Sequence, residues 1–216
     1  MIRVDKREFA KNVIFYSVFI MVFLCIRSSV FASYIVPTPS MNPTILEGDL
    51  FYANKLAYRL KVPLTKKTIV QWATPDRGDI VVFKFPLDEG ELYTKRVMAV
   101  AGDVVEVVGG HLRINGKPVS QKLVARGEGS LIFEEDHSGH KYSIQHIPGV
   151  QTLKTMERIV VPEGQLFVCG DNRDNSYDSR YWGLLPLENV EGELTVCWFS
   201  IDLKSWRPRF DRIRMM

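Results

Sequence analysis

Cysteine is scarce in this sequence. Among its 216 residues there are three cysteines, and no two of them lie at the CxxC spacing typical of a zinc site or a redox pair. A disulfide between Cys169 and Cys197 could form outside the cytosol, but buried free thiols are the favoured interpretation. The cysteines therefore predict neither a disulfide framework nor a structural metal.

Histidine is equally scarce. Three of the four histidines, His137, His140 and His146, lie near an acidic run at 134–136. Their spacing fits no common metal site, so we expect a solvated loop there, with no metal and no cofactor. This scarcity also means that a serine nucleophile in this chain would need a base other than histidine.

A large excess of one charge sign is absent too. The net charge is +3 and the basic residues are dispersed, so nucleic acid is not expected as a partner. The basic residues near the end, Lys204, Arg207, Arg209, Arg212 and Arg214, are expected to be solvated, with contact to anionic lipid as an alternative. With 46% hydrophobic and 25% charged residues and no internal repeat, the chain is predicted to be globular.

One apolar run is present, from Val13 to Ile26. As a helix it would rise only about 21 Å, less than the roughly 30 Å hydrocarbon core of a bilayer. It is either a cleaved secretory signal ending near Ala32 or a retained anchor whose helix continues through Val30, Phe31 and Tyr34. Basic residues precede the run, so both interpretations place the amino terminus in the cytoplasm and export the rest of the chain.

Beyond this run, the pattern is almost entirely β. Runs rich in valine, isoleucine and aromatic residues recur between turn residues, which predicts a barrel or sandwich. The predicted strands are Leu50–Ala53, Ile80–Phe85, Leu92–Val100, Val104–Val108, Ile159–Val161, Leu166–Cys169 and Leu194–Ile201. Residues 126–157 are less regular, so a small inserted subdomain is placed at 104–160. The Gly-Asp pairs at 48–49, 78–79 and 102–103 are predicted to be turns.

A proline-rich segment, residues 37–44, follows the apolar run and contains Ser40. Three prolines in eight residues restrict the backbone to extended or turning conformations, so Ser40 is presented on a stiff loop. From these residues alone, a simple linker next to the membrane is as good an interpretation as a nucleophile.

Lys95 is the candidate base. The period of two in the strand around it places Lys95 on the opposite face from Arg96, among Tyr93, Val97 and Ala99. Burial disfavours an ammonium, so Lys95 could be neutral enough near pH 7 to accept a proton. The alternative is a lysine at a sheet edge whose amine reaches water.

A third constellation runs from Gly170 to Gly183. The alternating polar residues suggest a calcium loop, but Tyr177 stands where such a loop needs glycine and Gly183 where it needs glutamate. A structural turn network of aspartate and arginine is the other interpretation of this segment.

Taken together, these motifs resemble the ordered boxes of bacterial type I signal peptidases. The resemblance covers most of residues 27–202 and is weakest in the insert. It rests on Pro37–Thr44, Arg77–Lys84, Tyr93–Arg96 with Ala101–Asp103, Gly170–Gly183 and Trp198–Asp202.

The resemblance implies a membrane-anchored serine endopeptidase that removes signal peptides from exported preproteins with a Ser-Lys dyad on a mainly β core. In it, Ser40 matches the nucleophile and Lys95 the general base. Ser176 matches the hydroxyl that orients the lysine, and Asp178 with Arg180 the pair that braces that loop.

Other positions follow from the same resemblance. Thr38 stands where the family usually has a serine that joins the Ser40 amide in the oxyanion hole, and threonine keeps the hydroxyl. The residues that match the shallow apolar pockets for small residues before the cut are Val36, Met41, Ile45 and Tyr93.

The resemblance also implies an organisation. The expected divisions are a cytoplasmic segment 1–12, a transmembrane anchor 13–33, a catalytic core formed by 34–103 and 161–216, and an inserted β subdomain at 104–160. We expect a single-pass, monomeric protein of the bacterial inner membrane with a periplasmic catalytic domain, which binds preproteins and membrane lipid.

Two alternatives stay open. A single apolar segment and a short insert would also suit a specialised peptidase of a conjugation or secretion system, acting on pilin-like or relaxosome-associated preproteins. A membrane-tethered β scaffold without activity is the alternative from another class, but it would be favoured only if Ser40 or Lys95 were replaced. Cleavage of the chain after its own Ala32 is a further expectation left open.

Overall fold

Antiparallel β-strands are the main secondary structure of the computed structural model, which describes residues 6–62, 65, 67–127 and 129–216. The strands are β1 Phe31–Ile35, β2 Asp49–Asn54, β3 Arg59–Lys61, β4 Thr68–Gln71, β5 Ile80–Phe85, β6 Asp88–Ala99, β7 Val104–Val108, β8 His111–Ile114, β9 Lys117–Pro118, β10 Ser120–Gly127, β11 Ser130–His137, β12 His140–His146, β13 Thr155–Val160, β14 Gln165–Cys169, β15 Leu185–Pro186, β16 Val190–Ser200 and β17 Arg214–Met215. The α-helices are α1 Lys6–Ser29 and α2 Ser179–Trp182, and short 3-10 turns cover Pro39–Met41, Leu187–Asn189 and Phe210–Arg212. The predicted mainly β fold is confirmed.

The largest sheet positions the candidate site. Its strand order is β1-β2-β16-β5-β6-β14-β15, with β17 paired to β16. Register shifts interrupt the pairing of β16 with both β2 and β5, and such bulges bend and twist a sheet. The bending matters because β1 and β6, which are four places apart in the sheet, both contribute residues to the lining of one cleft.

The region between β6 and β14 forms two further sheets. One has the order β13-β7-β8-β9, and the other the order β10-β11-β12. Residues 126–157, where the sequence pattern is less regular, belong mostly to strands β10–β13. Tight turns explain the difference: Ser138 and Gly139 both have positive φ and connect β11 directly to β12.

The predicted strands and turns agree with the structure elsewhere. All seven predicted runs overlap a strand, and the glycines of the three Gly-Asp pairs have positive φ, as such turns require. Three clusters of buried apolar side chains fill the interior. Their largest fully buried members are Phe51, Phe83, Phe167, Met41, Ile45 and Met98. Cys169 and Cys197 are buried free thiols.

Helix α1 ends earlier than the anchor interpretation required. It stops at Ser29, and Phe31–Ile35 is strand β1, which pairs with β2 and places Ala32 opposite Ala53. The expected continuation of the helix to Tyr34 was therefore wrong, because those residues complete the edge of the main sheet. In the part of the chain that the structure describes, none of the helices meets the length and apolarity needed for a membrane span. Residues 1–5 of the expected cytoplasmic segment lie outside the described residues.

The basic residues near the end are more ordered than the sequence suggested. Arg212 binds the buried carboxylate of Asp49 at 2.6 Å, and Arg209 binds the Glu47 carbonyl at 2.7 Å. Arg212 and Arg214 each donate to the Thr44 carbonyl at 3.0 Å. We call residues 209–214 the closing segment. The prediction that its arginines are only solvated was wrong, because they bind the loop that follows Ser40.

Candidate active site

Ser40 lies in the 3-10 turn that connects β1 to β2. Pro39 occupies the start of this turn, where its missing N–H leaves no acceptor unpaired. The Asn42 amide donates to the Pro39 carbonyl at 3.0 Å, and the Ile45 amide to the Met41 carbonyl at 2.9 Å. The stiff loop expected from the prolines is present, and Ser40 is half-buried at its tip.

Lys95 on β6 points at this serine. Its Nζ donates to Ser40 Oγ at 2.7 Å, and the residue is only 3% exposed. Burial lowers the pKa of Lys95 from 10.5 to about 8, with Asp178 acting in the opposite direction. A substantial fraction of this lysine is therefore neutral near pH 8, which is the state that can take a proton from a hydroxyl.

Thr38 lies on the other side of the nucleophile. Its Oγ1 is 3.3 Å from Ser40 Oγ, and either hydroxyl can donate. A hydroxyl at this distance is placed where it could reach an oxygen attached to a carbon that Ser40 attacks.

A buried ion pair stabilises the loop after β14, which lies close to Ser40 and Lys95. Asp178 is buried and accepts hydrogen bonds from the Gly170 amide at 2.9 Å and from Arg180 Nε at 2.8 Å. Burial alone would raise the pKa of Asp178, but Arg180 and the Gly170 amide hold it below its usual value. The structure thus pairs Asp178 with Arg180, as the resemblance implied.

Ser176 is close to the nucleophile loop but does not bind Lys95. Its Oγ is buried, makes no well-formed hydrogen bond within the described part of the chain, and lies near enough to Asp178 to help lower the pKa of that carboxyl. A methyl group at Gly170 would overlap both Ser176 Oγ and the Ser40 carbonyl oxygen, so these two groups crowd the same glycine. The expected orienting contact from Ser176 to Lys95 is not formed in this structure and stays a prediction.

Sequence reasoning missed two contacts that fix the site. Asn172 donates from its backbone amide to the Ser40 carbonyl and from its side chain to the Pro39 carbonyl, both at 3.1 Å. Arg96, the neighbour of Lys95, forms a buried two-pronged ion pair with Asp171 at 2.8 and 2.7 Å. Asn172 belongs to the segment Gly170–Gly183 of the sequence analysis, but the sequence held no signal that pairs it with Pro39.

A cleft of about 610 Å³ opens in front of Ser40. Its lining comes mainly from residues 34–41 and 91–95, and it includes Val36, Met41 and Tyr93 of the predicted pocket. Ile45 is not part of this lining, because it packs in the core against the same cluster as Val36 and Met41. Tyr93 stacks on Phe85 with ring centroids 4.5 Å apart, which fixes the aromatic wall of the cleft.

The histidine-rich stretch is not the solvated loop that was expected. Glu135 and His137 are buried in β11, and His137 Nε2 lies 2.8 Å from the Met98 carbonyl oxygen. His146 contacts Asp174 at 3.1 Å. Within the described ranges, no group of three or more acidic, cysteine or histidine side chains could hold a metal ion.

Comparisons with known proteins agree on one family. A family model described as signal peptidase, peptidase S26, matches residues 7–199. Signal peptidase I of Pseudomonas fluorescens is 33% identical over 214 residues, covering 89% of this chain and 74% of that relative. Signal peptidase I of Aquifex aeolicus is 32% identical, covering 92% of this chain and 87% of the relative.

A further relative gives the same family. Signal peptidase I of Rickettsia typhi is 33% identical, covering 93% of this chain and 83% of the relative. A crystal structure of a signal peptidase I from Enterococcus faecalis is 30% identical with a TM-score of 0.35, covering 56% of this chain and 97% of that one.

Proposed function

The chain belongs to the signal peptidase family, peptidase S26, and we propose that it removes signal peptides from exported preproteins with Ser40 as nucleophile and Lys95 as general base. It is a serine endopeptidase by this membership. The observation that carries the residue assignment is the 2.7 Å contact between Ser40 Oγ and a Lys95 amine that burial makes less basic.

The proposed chemistry has two halves. Neutral Lys95 takes the Ser40 hydroxyl proton while Oγ attacks the carbonyl carbon of the scissile bond. The resulting ammonium returns that proton to the departing amine, which becomes the new amino terminus of the mature protein. Lys95 then activates a water molecule that hydrolyses the ester and releases the signal peptide with a free carboxylate.

The oxyanion and the base need support in this scheme. We assign the Ser40 amide and the Thr38 hydroxyl as donors to the oxyanion, because Thr38 Oγ1 lies 3.3 Å from the nucleophile. The buried Asp178–Arg180 pair holds the Gly170 amide and so the loop that carries Ser176. Among the described residues, the Ser176 hydroxyl has no well-formed hydrogen bond, so we assign it to orient the Lys95 amine when substrate is bound.

The cleft suits an extended peptide. The first half of β6 has no strand neighbour on the side away from β5 among the described residues, because β14 pairs only with Arg96–Ala99. β1 likewise ends the main sheet. A substrate backbone can add to such edges, and its alternate side chains then meet Val36, Met41 and Tyr93, which leave room for small residues. Ile45 acts behind this lining by supporting Met41.

The organisation of the protein is also a proposal. We assign residues 34–103 and 161–216 to the catalytic core and 104–160 to an insert, because β7–β13 form sheets separate from the main one. We propose that α1 holds the enzyme at the bacterial inner membrane, with the catalytic core on the far side. The apolar side chains of Phe15, Phe19 and Phe23 on α1 are 64%, 62% and 56% exposed, and lipid would cover them.

The function is tested by cleavage of a preprotein with an Ala-X-Ala site in detergent, with sequencing of the new amino terminus. Wild type should cut after the final alanine. Ser40→Ala and Lys95→Ala should fold normally and lose cleavage. Turnover by either folded variant would refute the dyad. If wild type leaves a general preprotein intact, a dedicated substrate of a secretion or conjugation system is the next one to assay.

The membrane proposal has its own test. Replacing Phe15, Phe19 and Phe23 together with aspartate should release the protein from vesicles in a flotation assay while wild type floats. Flotation of the triple variant to the same extent as wild type would show that α1 is not the anchor.

A further inference from the structure

Glu135 is a buried carboxylate that the proposed chemistry does not use. It lies on β11 of the insert and is fully buried, and Arg173 is buried too, at 4% exposure. Arg173 Nη1 donates to Glu135 Oε1 at 2.5 Å, Arg173 Nη2 binds Oε2, and Gln121 Nε2 also donates to Oε1 at 2.8 Å. Burial would raise the pKa of Glu135, but Arg173 holds it below its usual value, so the pair is ionic.

This ion pair fixes the segment 171–173 to the insert. Arg173 Nε donates to the Gly170 carbonyl at 3.2 Å, and the Arg173 amide donates to the Gln145 carbonyl at 2.9 Å. The Gln145 amide in turn donates to the Asp171 carbonyl at 2.8 Å. β11 and β12 therefore hold 171–173 through one buried ion pair and a short stretch of backbone pairing.

The same three residues reach both members of the dyad. Asn172 donates to the Pro39 and Ser40 carbonyls at 3.1 Å, which sets the backbone that carries the nucleophile. Asp171 binds Arg96, the residue next to Lys95, and Arg96 also lies over the Tyr142 ring of β12 at 4.0 Å. A shift of 171–173 would thus move Ser40 and Lys95 relative to each other.

We propose that Glu135 is a positioning residue for the reaction: through Arg173 it fixes Asn172 and so the orientation of Ser40 toward Lys95. The proposal rests on the proposed function of Ser40. The insert, on this view, contributes to turnover and not only to stability. Displacements of about 1 Å in a site of this kind can cost about a hundredfold in rate, so a small movement of Asn172 is enough.

The test compares Glu135→Gln with Glu134→Gln in the full chain, using an Ala-X-Ala preprotein in detergent. Glu134 receives the same chemical change one position earlier, on the opposite face of β11, where its side chain is only half-buried. We expect kcat per folded molecule to fall at least about tenfold in Glu135→Gln, with KM within about twofold of wild type. Glu134→Gln should match wild type in both.

Glu135→Gln leaves the Arg173 cation buried without its partner, which can unfold a protein. The double variant Glu135→Gln/Arg173→Gln removes both charges and restores charge balance, while it still loses the two-pronged contact. Its kcat, measured at a temperature below the onset of its thermal unfolding, should also fall at least about tenfold. Wild-type kcat in either folded variant, or a raised KM with unchanged kcat, would overturn the positioning role.

A Ser40→Ala arm separates this proposal from the one it rests on. If Ser40→Ala is inactive and the Glu135 variants turn over like wild type, only the positioning role fails. If Ser40→Ala still cleaves, both the assignment of Ser40 as nucleophile and the positioning role of Glu135 are refuted.

Discussion

Lys95 Nζ lies 2.7 Å from Ser40 Oγ although 55 positions of chain separate the two residues. Three segments meet to produce this contact: the loop after β1, strand β6 and the loop after β14. Substitutions in each of these segments should therefore change turnover or stability in a way that its contacts determine.

The rate of cleavage should rise with pH around 8. The pKa of Lys95 is lowered to about 8, and only the neutral amine can accept the Ser40 proton, so activity is low where the lysine is protonated. We expect kcat/KM to increase about tenfold per pH unit well below 8 and to level off above it. A pH profile on a short peptide substrate measures this, and a flat profile between pH 6 and 9 would contradict the role of Lys95.

Lys95→Met should stabilise the protein most at neutral pH. The pKa of Lys95 is lower in the folded state than in the unfolded chain, so the unfolded chain holds the proton between about 8 and 10.5 and stability rises with pH in that window. Below pH 8 the folded protein carries the full cost of a buried ammonium. The advantage of the methionine should shrink by roughly 3 kcal/mol from pH 7 to pH 10.5.

Denaturant titrations of Lys95→Met and wild type at both pH values provide that measurement. The same substitution at exposed Lys67 is the control and should show no comparable change between the two pH values. An equal effect of Lys95→Met at pH 7 and pH 10.5 would mean that the lysine is not desolvated.

Thr38→Val should lower kcat by about a hundredfold, because it removes a hydroxyl placed next to the nucleophile and keeps the branched shape. Thr38→Ser keeps the hydroxyl and should remain within a few fold of wild type. The measurement is steady-state kinetics of wild type and both variants with the same preprotein. Equal rates for the valine and serine variants would exclude Thr38 from the oxyanion hole.

Gly170→Ala should inactivate the enzyme. The added methyl group would overlap Ser176 Oγ and the Ser40 carbonyl oxygen, and the carbonyl belongs to backbone that cannot rotate away. We expect at least about a hundredfold loss of kcat, because the nucleophile must move. Gly127→Ala is the matched control: a methyl group there would approach only Ser130, closest to its side-chain oxygen at 2.9 Å, and cleavage should be unaffected.

Asp178→Asn should shift the pH profile to lower pH. The Asp178 carboxylate raises the pKa of Lys95 and Arg180 lowers it, so loss of the carboxylate alone makes the lysine easier to deprotonate. The double variant Asp178→Asn/Arg180→Gln removes both influences, and its profile should return toward that of wild type. A shift to higher pH in the single variant would contradict this arrangement of charges.

Much of the fold could be predicted because local patterns agreed with it. Alternation of apolar residues located strands such as β5 and β7, and glycine before aspartate located the turns. The separate strands of the β10–β12 sheet, inside the predicted β insert, were not located because many of their residues are exposed or half-exposed and they carry glutamate, lysine and histidine.

The sequence allowed prediction of the residues proposed to react with substrate, but not of the residues that position them. A stiff loop and a strand period made Ser40 and Lys95 candidates, and the resemblance to signal peptidases gave them their roles. Asn172 and Glu135 were not assigned, because their roles depend on partners more than 35 positions away, at Pro39 and Arg173, and no local pattern in the sequence reports such pairs.

The closing segment affects when, during its synthesis and folding, the enzyme becomes able to cut. Arg212 and Arg214 donate to the Thr44 carbonyl, and Arg209 and Arg212 donate to the Asp49 carboxylate. Each arginine lies at least 160 residues after its acceptor in the chain. A chain synthesised only as far as the loop after β14 already contains Ser40, Lys95 and Asn172, but its residues 44–49 still lack their contacts with the closing segment. Competence to cut should therefore appear only after residues 209–214 have been synthesised and have bound residues 44–49, so a partly made chain should leave preproteins uncut.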